Sequence, residues 1–261
     1  MILSLLLFLF ISTGSVGVVS AGSFKVFPLK LELDKKTKTT LFKITNTGDT
    51  SVTIQLETVS WFQNDQGDDK YQPTNDIVYF PKIVKVDSGE QRIIRIGYRG
   101  SALESSEKTY RIFAQELPEL GEKKGAVKFS LRFSVPIFVH VQGTAAKVTV
   151  ESAKLSNGRL HVVVENSGSE HFVVKSIDVN GLSYDGKQTF LAKSGGWYVL
   201  PDTNKSFFVK LPENECRLSE KLSLKVETSA GSYDKLINID GGECVAVTRV
   251  DNSKNALSFE Q

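Results

Sequence analysis

The chain has 261 residues, 40% of them hydrophobic, 24% charged and 10% aromatic, with 32 basic and 30 acidic side chains giving a formal charge of +2. That length holds two domains of about 100–150 residues, each with its own core. The ordinary charge content and many branched and aromatic residues exclude disorder, collagen and coiled coil, and the balanced charge gives no bulk attraction to nucleic acid or anionic lipid.

Residues 1–21 carry no side-chain charge and are almost wholly apolar from Ile2 to Ile11, the one stretch that approaches membrane-spanning length. Small residues follow, up to Val19-Ser20-Ala21. The segment reads as a secretory signal peptide cleaved after Ala21, with an uncleaved membrane anchor as the alternative. Export places Cys216 and Cys244 in an oxidising compartment, where an even pair is most simply one disulfide, with two separately buried thiols as the alternative. Closing that loop contributes roughly 3–4 kcal/mol.

From residue 22 onward the period is two, the signature of strands. Leu29, Leu31 and Leu33 alternate with polar neighbours, as do Phe42 and Ile44 ahead of the turn Asn46-Thr47-Gly48-Asp49. Val52, Ile54 and Leu56 lead towards Trp61, which reads as a core residue. A polar loop over 63–70 precedes Ile77-Val78-Tyr79-Phe80 and Ile83-Val84. A turn at Asp87-Ser88-Gly89-Glu90 then leads to Ile94, Ile96 and Tyr98, and Tyr110 to Gln115 form the next strand.

The longest alternation runs from Val127 through Phe129, Leu131, Phe133, Val135, Ile137 and Val139 to Val141. It is one long strand or two joined at Pro136. Short strands with turns between them suit an immunoglobulin-like sandwich over residues 22–142. Gly143-Thr144-Ala145-Ala146 reads as a hinge. The pattern then restarts at Val148, with turns at Ser156-Asn157-Gly158, Asn166-Ser167-Gly168, Asp185-Gly186 and Ser194-Gly195-Gly196. A second sandwich over 143–250 and a polar tail over 251–261 complete an all-β chain of two immunoglobulin-like domains. The junction between them is a favoured binding place.

Several phrases, in order, resemble one family. They are Lys30-Leu31, Phe42 to Asp49, Trp61-Phe62-Gln63, Asp76 to Ile83, Ser88-Gly89-Glu90-Gln91 with Ile94-Arg95-Ile96, Tyr110 to Pro118, and Arg132 to Val139. Together they resemble the periplasmic chaperones of the chaperone–usher pathway, most like its archaic branch, over about 115 residues of the first domain. The resemblance implies a boomerang of two domains in the periplasm. It implies pilin or fimbrial subunits as clients, completed by a strand lent by the chaperone, and an outer-membrane usher as the receiver. Val127, Phe129, Leu131 and Phe133 are then the donor strand. Lys30 and Arg132 become the basic anchors for the subunit's terminal carboxylate, while Glu107 and Glu116 become candidates for ion pairing between domains.

An exposed edge suits strand addition and also permits self-association. The alternative function is a structural or adhesive β-sandwich component of a surface fibre. Neither catalysis, nucleotide nor cofactor is expected, since no nucleophile elbow or phosphate loop occurs. No metal is expected either, because His140, His161 and His171 are scattered along the chain.

Overall fold

A computed structural model describes residues 24–101, 105–118 and 130–245. The leader at 1–21, the tail at 251–261, and Val127 and Phe129 of the expected donor strand lie outside the described residues. Among the described residues no helix is long and apolar enough to cross a membrane.

The first sandwich contains β1 (Phe24–Phe27), β2 (Leu31–Leu33), β3 (Thr39–Asn46), β4 (Val52–Gln63), β5 (Asp69–Pro73), β6 (Ile77–Phe80), β7 (Ile83–Val86), β8 (Gln91–Tyr98), β9 (Lys108–Leu117) and β10 (Arg132–Val139). One sheet runs β1-β3-β8-β6, and the other runs β2-β10-β9-β4-β5 with β7 also paired to β4. Phe42, Ile44, Ile94 and Ile96 meet Leu31, Leu33, Ile54, Ile112 and Ile137 between the sheets, all essentially inaccessible. Each such side chain contributes on the order of 1.5–3 kcal/mol by leaving water.

Two local features depart from the alternation. The first hydrophobic run is broken at Pro28, which has no N–H for a ladder. Upstream of it β1 pairs antiparallel with β3, and downstream β2 crosses to the other sheet and pairs parallel with β10. The polar segment 63–70 is a loop only in part, because β5 begins at Asp69 and pairs with β4 in spite of its exposed, hydrophilic side chains.

The second sandwich contains β11 (Val148–Ser156), β12 (Arg159–Asn166), β13 (Phe172–Leu182), β14 (Gln188–Gly195), β15 (Tyr198–Val199), β16 (Thr203–Lys210), β17 (Lys221–Thr228) and β18 (Gly231–Asn238). Its sheets are β11-β12-β16 and β14-β13-β17-β18, with β15 also on β13. Cys216 lies in the one-turn helix α1 (Glu213–Arg217) and Cys244 in a 3-10 turn. They form the expected disulfide with Cα atoms 5.8 Å apart, inside the core of this domain.

The two sandwiches share one device. Asn46 ends β3 and Asn166 ends β12, each buried and each two residues ahead of a glycine. Asn46 Nδ2 donates to the carbonyls of Thr50 and Val86 while its Oδ1 accepts from Gly48 N. Asn166 Nδ2 donates to the carbonyls of Glu170 and Val199 while its Oδ1 accepts from Gly168 N and Lys147 N. A short amide side chain that bonds its own turn in this way fixes the loop as firmly as a strand would.

Candidate functional site

Strand β10 is central for part of its length and an edge for the rest. It pairs with β9 from Arg132 to Val139, whereas β2 covers its other side only from Ile137 to Val139. Glu116 N donates to the Leu131 carbonyl, and His140 N donates to the Leu33 carbonyl on the opposite side. Alternation along an antiparallel strand therefore turns the backbone groups of Arg132 and Ser134 away from β9. Among the described residues those groups have no strand beside them. Pro136 takes the next outward position, where a missing N–H removes no bond to β9. The long alternation is thus a single strand through Pro136 over its described length.

Leu131 and Phe133 point towards the sandwich and are only partly buried against its core, with Phe133 edge-on to Phe24 at 5.1 Å. The side chains of Arg132, Ser134, Pro136 and Phe138 lie on the other face of the sheet by the same alternation. Register brings two further bases to that face. Arg111 on β9 is directly opposite Pro136, and Lys30 immediately precedes Leu31, the partner of Ile137.

The three cations differ in what already holds them. Lys30 Nζ is 2.5 Å from Glu32, and that ion pair lowers the Glu32 pKa. Arg132 reaches Glu57 at 3.4 Å and lies over the Phe113 ring at 4.0 Å. Both are half-exposed, where such pairs contribute about 0–1 kcal/mol. Arg111 is buried at 3% exposure, and desolvation lowers its pKa. Its guanidinium stacks 3.9 Å from the Trp61 ring and donates once, to Ser134 Oγ at 3.0 Å. Its Nε and Nη2 have no partner among the described residues. A buried cation with idle donors costs stability unless something supplies an anion. Sequence reasoning missed Arg111, because a base within Tyr110-Arg111-Ile112-Phe113 carries no mark of its burial.

The second domain closes over this face. Trp61 is buried, but it packs with Phe138, Leu200 and Tyr198 at the junction and not inside the sandwich, which corrects its assignment as a core residue. The cause is a reversal along β4, whose buried positions shift from even to odd numbers near Thr58 and Val59. Gln63 stitches the junction by donating to the Tyr198 carbonyl and accepting from Leu200 N and Thr203 Oγ1. Trp197 lies 5.3 Å from the Arg111 guanidinium and donates to Asp69 at 2.7 Å. It remains 40% exposed, so it forms a cover over Arg111 that faces water.

Next to this junction is an acid–histidine cluster. The Glu107 carboxylate is wholly inaccessible, 2.8 Å from His171 Nδ1 and 3.1 Å from His140 Nδ1. Burial alone would raise the Glu107 pKa, but the two imidazoles outweigh it and hold the carboxyl below its ordinary range. The same contact raises the His140 pKa. Glu107 N also bonds the Ser169 carbonyl, so this residue ties the domains by backbone and side chain together. Glu116 does not share that role, since it lies at the far end of β9 beside Ser130 and Leu131.

Residues 23–145 match the family model described as pili and flagellar-assembly chaperone, PapD N-terminal domain. No curated protein matches the chain by sequence. Among solved structures, a chain of the CsuC–CsuE chaperone–tip subunit pre-assembly complex of Acinetobacter baumannii is 19% identical with a TM-score of 0.58, over 84% of this chain and 99% of that one. The Pseudomonas aeruginosa CupB2 chaperone is 15% identical with a TM-score of 0.52, over 82% and 100%. A chain of the Salmonella enterica SafA pilin–SafB chaperone complex is 15% identical with a TM-score of 0.51, over 84% and 98%. The first domain thus carries the sequence pattern of a pilus-assembly chaperone's N-terminal domain, and both domains share the fold of solved structures that contain such chaperones.

Proposed function

We propose that the chain is an ATP-independent periplasmic chaperone that completes unfinished pilin or fimbrial subunits with its own strand and passes them to an outer-membrane usher. The observation that carries this reading is the half-open β10. Arg132 and Ser134 offer outward backbone groups on the same stretch that borders the buried, under-bonded Arg111. A partner strand added to that edge gains ladder hydrogen bonds and register together.

The added strand's terminal carboxylate is the anion this face lacks. Lys30 and Arg132 can draw it in as half-exposed charges, although each would have to leave its glutamate. Arg111 is the strongest of the three for the final contact, because a carboxylate would give its idle Nε and Nη2 two parallel charge-assisted bonds. Trp197 would swing aside to admit it. Leu131 and Phe133, and beyond them Phe129 and Val127, are proposed as the plugs that enter the client. The work is binding, and the archaic branch is the proposed subgroup.

The experiment is co-expression of the mature chain with small secreted proteins encoded beside it, followed by size exclusion with light scattering. The expected result is a 1:1 complex that is lost with Ser134→Pro, which removes an outward N–H, and weakened by Arg111→Met and Lys30→Ala. A complex indifferent to Ser134→Pro and Leu131→Glu overturns the strand-addition reading. Polymerisation of the chain itself would favour the structural fibre component.

A further inference from the structure

The three histidines are scattered in sequence, yet two of them converge with carboxylates from three separate chain segments. Glu107 precedes β9, His140 follows β10, and Glu170 with His171 precedes β13 in the other domain. Glu107, His140 and Glu170 each present one ligand atom, and all three atoms lie within 4.8 Å of one another. His140 Nδ1 is 3.1 Å from Glu107 Oε2 and 3.5 Å from Glu170 Oε1. Around a tetrahedral zinc with bonds of about 2.0–2.2 Å, ligand atoms stand about 3.3–3.6 Å apart. Both distances from His140 are already close to that edge length.

The groups behind these three also suit a metal. A ligating imidazole is oriented by a carboxylate on its other nitrogen, and a ligating carboxylate by a donor on its other oxygen. His140 Nε2 faces Glu32 Oε1 at 3.7 Å, and Glu32 is itself held by Lys30. His171 Nδ1 lies between the two Glu107 oxygens, 2.8 Å from Oε1 and 2.9 Å from Oε2, so it would shift onto Oε1 when a metal takes Oε2; the His171 ring is stacked flat on Phe138 at 3.6 Å. With both imidazoles neutral, Glu32, Glu107 and Glu170 face a single Lys30, an excess of negative charge that a divalent cation would balance. Imidazole with carboxylates selects a transition metal over magnesium or calcium.

We infer that Glu107, His140 and Glu170 form a zinc-type divalent metal site that pins the second domain to the first, with Glu32 and His171 as its orienting partners. Glu107 and His140 come from one domain and Glu170 from the other, so the ion would bridge the junction directly. This site shares only the Lys30–Glu32 pair with the strand-binding edge, and subunit binding does not test it.

The test uses the full mature chain without an affinity tag, stripped with chelator and titrated with zinc chloride by calorimetry and by thermal melting. Magnesium and calcium serve as comparisons. The expected result is one zinc per chain with a raised melting midpoint. Affinity should fall about tenfold or more in His140→Gln and in Glu170→Gln, and stay at the parent value in His161→Ala. Cobalt in place of zinc should give the strong visible absorption of a tetrahedral site. Glu170 is partly exposed, so its variant keeps the test valid should His140→Gln misfold. No zinc-dependent shift, or a shift that Glu170→Gln retains in full, would overturn the site and leave a proton-bridged ion network in its place.

Discussion

The turns after Asn46 and after Asn166 are built alike and used differently. Both hang on a buried asparagine that bonds the turn it begins, and both close on a glycine two residues later. The first turn exposes Asp49 and Thr50 and is held within its own sandwich, where Ser88 Oγ donates to the Gly48 carbonyl. The second is pressed against the first sandwich. Its Ser169 bonds Glu107 N and Ala145, and its Glu170 and His171 meet the His140–Glu107 pair. Gly168 is packed just as closely on the segment leading into its own domain, since a Cβ there would stand 2.4 Å from the Ala145 carbonyl and from Lys147 N. A turn made rigid by its own side chain can therefore serve as a docking platform once its outward residues acquire partners.

The largest way to break the comparison is Asn166→Ala. It strands the buried Val199 carbonyl and loosens the turn that carries Glu170 and His171, so chemical denaturation should report a loss of about 3–4 kcal/mol. Domain docking should weaken with it, visible as faster hydrogen exchange at Glu107 N and Ser169 N. Asn46→Ala should cost about 2–3 kcal/mol for the same local reason and leave exchange at the junction unchanged. Equal loosening of the junction in both variants would refute the distinction.

Glu107→Gln comes next. Removing the charge leaves two histidines facing an amide in a closed space, and breaking a buried ionic contact costs about 3 kcal/mol, less here because His140 keeps some access to water. The loss should show in thermal melting and should not be additive with Asn166→Ala, since both act on one contact.

Arg111→Met has the opposite sign. Replacing an unpaired buried cation by a side chain of similar length removes a desolvation cost, so stability should stay within about 1 kcal/mol of the parent or rise. Client binding should fall. A strongly destabilised Arg111→Met would mean that the Trp61 stack and the Ser134 bond already satisfy the guanidinium.

Much of the fold was legible from residues 24 to 245, for a local reason. Leu31 and Leu33, Phe42 and Ile44, or Ile94 and Ile96 alternate because one face of each strand must be dry, and Asn-x-Gly marks both asparagine turns. Strand β14 escaped notice between its two turn signals, and β5 is hydrophilic, so each pairs without a period to announce it. The site was less legible. Lys30 and Arg132 are proposed from phrases alone, but the burial of Arg111, the outward side of Trp61 and the convergence of His140 with His171 depend on a second domain packing on the sheet. Contacts between residues 64 positions apart, as in Glu107 with His171, leave no local trace.

The smallest expected effect is the dependence of that platform on pH, measured on chelator-treated protein. Glu107 is held below its ordinary 4.5, so its contribution is complete above pH 4.5 and is lost as pH falls through the lowered value. His140 is held above its ordinary 6.5, so its contribution is complete below pH 6.5 and is lost as pH rises through the raised value. The groups facing it are Glu32, Glu107, Glu170 and His171, and three of the four favour its charged form. Both contributions are complete together only between pH 4.5 and 6.5, where denaturation should find the junction most stable. Towards pH 9 the His140 contribution should be lost. Glu107→Gln should flatten that alkaline limb, while Asn46→Ala, which alters the turn of the first sandwich, should lower the whole curve and leave its shape intact.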